Sequence, residues 1–385
     1  MTTLLVIIYI AFISLGLPDS VLGAAWPVMH LDLGAGLSQA GFISMTICAG
    51  TIISSLLSQR LIARFKTHGV TTISIALTAL SLYGFSIATS FWNLILWAIP
   101  LGLGAGSIDA ALNNFVALHF KAKHMSFLHC FWGVGTIAGP FLISHLISQG
   151  GSWRSAYLII ASIQACIMLL VLFSAKKWKL KGEDKEEEEE KKIYPAKELI
   201  KVKGVPFALL AFTLYCGYEN TAMLWSASFM VYGKGFSPAE GASLAAMVFM
   251  GITTGRFLNG FASSKFDDYT LIITGQLITL TAVISLFFVN SLLFAYIALF
   301  VMGMGFGPCY PCMIHQTVYY YNRKYSQGII GLQMASAYVG STLMPPLYGL
   351  IAGKTTQKLF PLWILVLLLI QIFCIVMKKH CKTAK

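Results

Sequence analysis

Twelve stretches of this chain are apolar for about 20 residues or more, the length needed to cross a bilayer. In lipid each backbone N–H and C=O must find its partner within the protein, so such stretches are helices. The spans are 4–29, 37–58, 70–89, 92–119, 126–148, 153–175, 205–232, 238–261, 270–289, 292–319, 326–352 and 359–377. Only 11% of the 385 residues are charged, against about 25% in soluble domains, so an ordinary soluble domain is excluded. The first run has no basic segment ahead of it and is too long for a cleaved signal, so it reads as a retained helix. The expectation is an all-α integral membrane protein with twelve transmembrane helices in two pseudo-symmetric six-helix bundles.

The net charge of +12 suggests nucleic acid until its distribution is followed. Of the 27 Lys and Arg residues, 22 lie on one side, in alternate connections and the tail, four on the other side, and Arg256 within a span. That asymmetry predicts a multi-pass protein of the cell membrane with both termini cytoplasmic, and no nucleic-acid partner. The long polar stretch 176–204, with EDKEEEEEKK, reads as a solvated linker. It separates an N-terminal bundle over 1–175 from a C-terminal bundle with a short basic tail over 205–385.

The two halves are related by a constant offset of 201 residues. Gly50 maps to Gly251, Gly16 to Gly217, Gly139 to Gly340, and Gly102, Gly104 and Gly106 to Gly303, Gly305 and Gly307. Parallel six-helix repeats are the signature of a secondary transporter with its site between the halves near the midplane. The glycines themselves need only a packing explanation, since small residues let helices approach closely.

Three acids lie well within spans: Asp19 in the first, Asp109 in the fourth and Glu219 in the seventh. A charged group at the bilayer centre costs about 2.5–3.5 kcal/mol on insertion scales, so each needs a reason. One reason is structural, a hydrogen bond to a neighbouring helix. The other is proton coupling, because removing a carboxylate from water favours its protonated form. Asn113 and Asn114 follow Asp109 at i+4 and i+5, on or beside its face. Carboxylate and amides together suit solute hydroxyls. The candidate binding residues are therefore Asp109, Asn113, Asn114, Glu219 and Asn220, with His129, Trp132, Trp225, His315 and Gln333 behind them. The histidines read either as bonded structural groups or as relays and solute contacts. Arg256 and Arg64 are candidate gating residues. Pro18, Pro140 and the pair Pro345–Pro346 interrupt spans and loosen them.

The eight cysteines are scattered through apolar segments. Cys309 and Cys312 have CxxC spacing, but without a second pair they read as small packing residues. No metal site, no cofactor and no nucleophile placed with a base is expected, so the chain is not read as an enzyme.

Several stretches carry a resemblance: GLPDSVLGAAWP, LNNFVALHFKAKHMSFLHCFWGVGTIAGP, LYCGYENTAMLW, GITTGRFLNG and GMGFGPCYPCMI. Together they cover nearly all of 1–377, and the chain resembles the major facilitator superfamily, more narrowly the fucose–proton symporters and their sugar-transporting relatives. The resemblance implies two bundles that rock about a central site, with acids in the first and fourth helices serving proton coupling and sugar binding. Asp19 and Asp109 occupy those helices, though fucose transporters more usually have a glutamate in the fourth. The loop SQRLIARFKTHG also departs from the superfamily, since it has no acid among its basic residues.

The function expected is secondary active transport of a small polar solute, foremost a sugar, coupled to a proton. An efflux antiporter for drug-like or lipid substrates and a non-transporting membrane receptor are the alternatives. The partners expected are the solute, the proton and the bilayer, with the protein acting as a monomer.

Overall fold

The computed structural model describes residues 2–120, 122–178, 196–321 and 323–383. Most of the linker expected to be solvated, residues 179–195, lies outside them. Among the described residues the regular structure is helical, with no strand. The helices are α1 (Thr2–Asp32), α2 (Ala40–Ser86), α3 (Phe91–His119), α4 (Ala122–Ser148), α5 (Trp153–Phe173), α6 (Ala196–Ile200), α7 (Val205–Ser228), α8 (Pro238–Ala262), α9 (Asp268–Phe287), α10 (Leu292–Phe306), α11 (Cys309–Tyr320), α12 (Arg323–Lys354) and α13 (Phe360–Thr383). Among the described residues ten segments are long and apolar enough to span a membrane. The remaining two of the twelve expected spans correspond to α7 and α12, which are helices of 24 and 32 residues. The twelve-span architecture read from the sequence is the one observed.

The second and third spans lie within α2 as two helices that meet at a kink, where Lys66 takes non-helical angles with φ at +58°. They remain separate spans, Leu37–Ser58 and Arg60–Ser86. The tenth span, Leu292–Thr317, is built from two helices, α10 and α11, that meet at Gly307–Pro308. Proline supplies no N–H and cannot continue the ladder of the helix before it.

The chain forms two compact units. One comprises Met1–Leu180, Met223–Met250 and Pro346–Lys358, and the other Lys181–Ala222, Gly251–Pro345 and Leu359–Lys385. The first has a core of Phe12, Ile75, Ile108, Leu112, Phe115, Val171 and Trp178. In the second, Leu199, Val205, Tyr321 and Ile329 form a buried cluster.

The 201-residue offset governs local geometry in detail. Ser90 caps α3 by accepting from Asn93 N–H, and Ser291 caps α10 by accepting from Phe294 N–H. α3 ends when Phe120 turns extended and donates to the Val116 carbonyl; α11 ends when Tyr321 does the same toward Thr317. Gly34 and Gly235 both take positive φ, at +58° and +82°, where a side chain would be strained.

Packing repeats too. A Cβ on Gly104 would lie 2.8 Å from the Ser74 carbonyl oxygen, and one on Gly305 would lie 2.6 Å from that of Gly275. Thr78 and Thr279 flank these two contacts. Gly50 meets the Gly102 backbone and Gly251 meets that of Gly303. Each contact brings helix backbones together, and a methyl group there has nowhere to go.

Gly305→Ala is expected to destabilise the purified protein by about 1–3 kcal/mol through overpacking. Gly260 is the control, since a Cβ there meets nothing within 4 Å. Thermal unfolding in detergent should show a clear loss for Gly305→Ala and little for Gly260→Ala; equal losses would refute the packing account.

Candidate functional site

In the first unit, proline chemistry shapes the turn that carries Asp19. Pro18 has no N–H to give the Ser14 carbonyl four residues back. The Gln164 side-chain amide of α5, fully buried, donates to that carbonyl instead. The helix therefore keeps its bonds satisfied around the proline, and Asp19 follows on an exposed position of α1. Trp132 Nε1 of α4 donates to Asp19 Oδ2 at 2.8 Å. α1 and α4 come this close because Gly16 and Gly135 let their backbones touch.

Asp109 lies on α3 in the same unit. Asn113 Nδ2 donates to Asp109 Oδ1 at 2.8 Å and to the Asp109 carbonyl at 3.0 Å. The i, i+4 spacing expected from the sequence is thus a real bonded pair. Asn114, one position on, is exposed. The two aspartates are near enough to act on one another electrostatically. Each has one oxygen bonded to an N–H donor. His129 is exposed on α4 and meets the edge of Phe12 at 5.9 Å between ring centres.

The second unit holds Glu219, which is 5% exposed. Tyr215 OH lies 2.7 Å from Glu219 Oε1 and 2.9 Å from the carbonyl of Phe306, the last residue of α10. Arg256 of α8 approaches the same carboxylate oxygen at 3.5 Å. The arginine placed among the gating candidates is therefore an ion-pair partner of one of the three acids. Asn220, next to Glu219, donates to the Cys216 carbonyl of its own helix at 2.9 Å.

The remaining candidates are placed elsewhere. Gln333 is buried and accepts from Thr317 Oγ1 at 2.8 Å, tying α11 to α12. His315 Nδ1 is 2.8 Å from Asp268 Oδ2, at a cavity of about 500 Å³ that Lys378 and Lys379 also line. Trp225 is fully buried in the first unit, against Tyr348 at 5.7 Å between ring centres. Arg64 is exposed beside its neighbour Phe65, and among the described residues no acid pairs with it. Cys309 and Cys312 are buried thiols, the first on the Gly305 carbonyl and the second on Asn259 Oδ1, each at 3.5 Å.

Sequence reasoning missed Asp268, which sits at the first turn of α9 and looks like a loop acid. It also missed a cluster where α1 and α7 end, built on His30 and Tyr232.

The geometry can be set beside known proteins. Residues 8–345 match the Major Facilitator Superfamily. The chain is 24% identical to Bypass of stop codon protein 6 of Saccharomyces cerevisiae, over 93% of this chain and 79% of that one. It is 22% identical to the glucose/mannose transporter GlcP of Bacillus subtilis, over 89% and 86%. A solved bacterial homolog of the human lysosomal transporter Spinster, in an inward-facing and occupied conformation, superposes with a TM-score of 0.75 at 14% identity, covering 100% and 97%. With its helical spans and a match over most of its length, the chain belongs to the Major Facilitator Superfamily and is a multi-pass membrane transporter.

Proposed function

We propose that this transporter carries a small polar solute of the sugar type, coupled to a proton, by alternating access. The observation that carries the reading is the pair Asp19–Trp132 and Asp109–Asn113 in one unit. Each carboxylate is held through one oxygen and has its second oxygen for a proton or a solute hydroxyl. An indole beside carboxylates and amides is the mixture that sugars require, an apolar face next to bidentate acceptors. The likeness to a glucose/mannose transporter supports the same solute class.

Glu219 is the third coupling candidate, and counting hydrogens favours it. Tyr215 has a single hydroxyl hydrogen and two oxygens within bonding distance. With Glu219 ionised, one of those two contacts sets oxygen lone pairs against each other. With Glu219 protonated, its O–H donates to Tyr215 and Tyr215 donates to the Phe306 carbonyl. Arg256, at the outer limit of bonding distance, favours the ionised form. A carboxylate whose neighbours favour opposite protonation states suits a coupling role. The basic connections place the two termini in the cytoplasm in this reading.

A thermal-shift screen of the purified protein against sugars at two pH values should single out one sugar whose stabilisation changes with pH. In proteoliposomes, an inward proton gradient should then drive accumulation of that sugar by wild type, and Asp109→Asn should lower it at least tenfold. Wild-type uptake that ignores the gradient would overturn proton coupling.

Glu219→Gln keeps the shape and hydrogen-bonding reach of the neutral acid. It is expected to unfold at the wild-type temperature and to exchange solute across the membrane, while losing gradient-driven accumulation. Accumulation at the wild-type level in this variant would remove Glu219 from the coupling set.

A further inference from the structure

The cavity of about 500 Å³ in the second unit lies apart from the three membrane acids. It sits between the start of α9, the last turns of α11 and the end of α13. The ends of the spans fix its depth. The α9 span begins at Asp268, the α10–α11 span ends at Thr317, and the α13 span ends at Cys381. The cavity is therefore at the level where hydrocarbon gives way to headgroups. Tyr269, Tyr319 and Tyr320 line it, and tyrosine is enriched at that level of a bilayer.

Two consecutive residues of α13 bring positive charge to it. Successive side chains on a helix point about 100° apart, so Lys378 and Lys379 reach different neighbours. Lys378 turns to α11. Its Nζ donates to Gln316 Oε1 at 2.9 Å and lies 4.7 Å from the centre of the Tyr320 ring. Lys379 turns to α9, its Nζ 3.7 Å from the centre of the Tyr269 ring. Lys378 is 3% exposed, whereas Lys379 is open to solvent. An amide oxygen and the faces of rings fix an ammonium without cancelling its charge.

Two acids line the cavity as well, and both are engaged on its α9 side. Asp268 Oδ2 lies 2.8 Å from His315 Nδ1. Asp267 Oδ1 accepts from the Thr270 hydroxyl. Asp267 also precedes the first turn of α9, where the helix dipole favours a carboxylate. The α13 side contributes ammonium groups, and Lys382 and Lys385 follow in the tail. A basic recess between helices at this depth is the setting in which lipid phosphates are bound.

We infer that this cavity binds a phosphate-bearing anion, held jointly by Lys378 and Lys379. A phospholipid headgroup and a soluble phosphate ester share that chemistry, and the volume admits either. The depth of the cavity makes the lipid headgroup the first expectation. Since one lysine reaches α11 and the other α9, an anion held by both ties three helices together at this end. The site is independent of Asp19, Asp109 and Glu219, and it holds whichever solute is carried and whether or not a proton is coupled to it.

Binding of a fluorescent phosphatidylglycerol to the full-length protein in detergent tests the assignment. It should bind at least about fivefold more tightly than phosphatidylcholine with the same chains, since each lysine near an anionic headgroup contributes about that factor. Lys378→Gln and Lys379→Gln should each remove about fivefold. Lys378 is buried and its replacement also disturbs packing, so Lys379→Gln, at an exposed position, is the deciding variant. Lys265→Gln removes the same charge from the exposed α8–α9 connection and should leave the affinity nearly unchanged. Glycerol 3-phosphate separates the two sources. If the protein does not prefer phosphatidylglycerol, yet millimolar glycerol 3-phosphate raises its unfolding temperature and Lys379→Gln abolishes the rise, the occupant is a soluble ester. Absence of both the preference and the rise, or equal losses of affinity in Lys379→Gln and Lys265→Gln, would overturn the proposal.

Discussion

Backbone contact between helices is the constraint on which the rest of this molecule depends. Lipid offers no hydrophobic drive for helix pairing, so helices in a bilayer are held by close fit and by the bonds that close fit permits. At Gly104 and Gly305 the neighbouring carbonyl oxygen occupies the space a side chain would fill. Once α2 and α3 are this near, Thr51 and Ser55 reach the carbonyls of Gly102 and Gly106, each at 3.3 Å. The same approach of α1 to α4 puts Trp132 within reach of Asp19. The polar chemistry follows from the glycine framework.

The framework is duplicated and the chemistry is not. Asp109 corresponds to Tyr310, Asn114 to His315, and Ser55 to Arg256 under the 201-residue offset. Gly106 touches Ser54 and Ser55 where Gly307 touches Gly255 and Arg256. A position that only ties two helices together in one repeat thus carries a cation in the other, and that cation pairs with Glu219. Likewise His68 meets Trp178 at 5.9 Å, while their counterparts Tyr269 and Lys379 meet at 3.7 Å as ring and ammonium. One scaffold supports two different electrostatic settings because the contacts are set by backbone and the charges by whichever side chain sits beside them.

What the chain disclosed in advance follows the range over which a residue acts. Span lengths, the repeat and the Asp109–Asn113 pair are local or periodic, so the sequence displays them. Pairings such as Asp19–Trp132 and Gln164–Ser14 join residues more than a hundred positions apart, and residue type alone does not name the partner. His30 and Tyr232 look like ordinary aromatic residues at the ends of spans, which hides their bond across 202 positions. Trp225 drew notice as a possible solute contact, and residue type alone gave no sign that its ring lies buried against Tyr348 and the Gly349 backbone. The place of the kink in α2 at Lys66 was also invisible, since positive φ at a lysine has no sequence signal.

The π turn at Phe229–Gly233 has a consequence for how this end of α7 can vary. A helix advances about 100° per residue, and a π turn accommodates one residue more than an α turn does. Loss of a single residue there restores an ordinary helix, and because the wider turn had absorbed the extra residue, the segments before and after it keep their facing. What depends on the count of residues is the wide turn itself, which holds Tyr232. A one-residue gap at this point would therefore remove the wide turn while leaving the spans on either side in register.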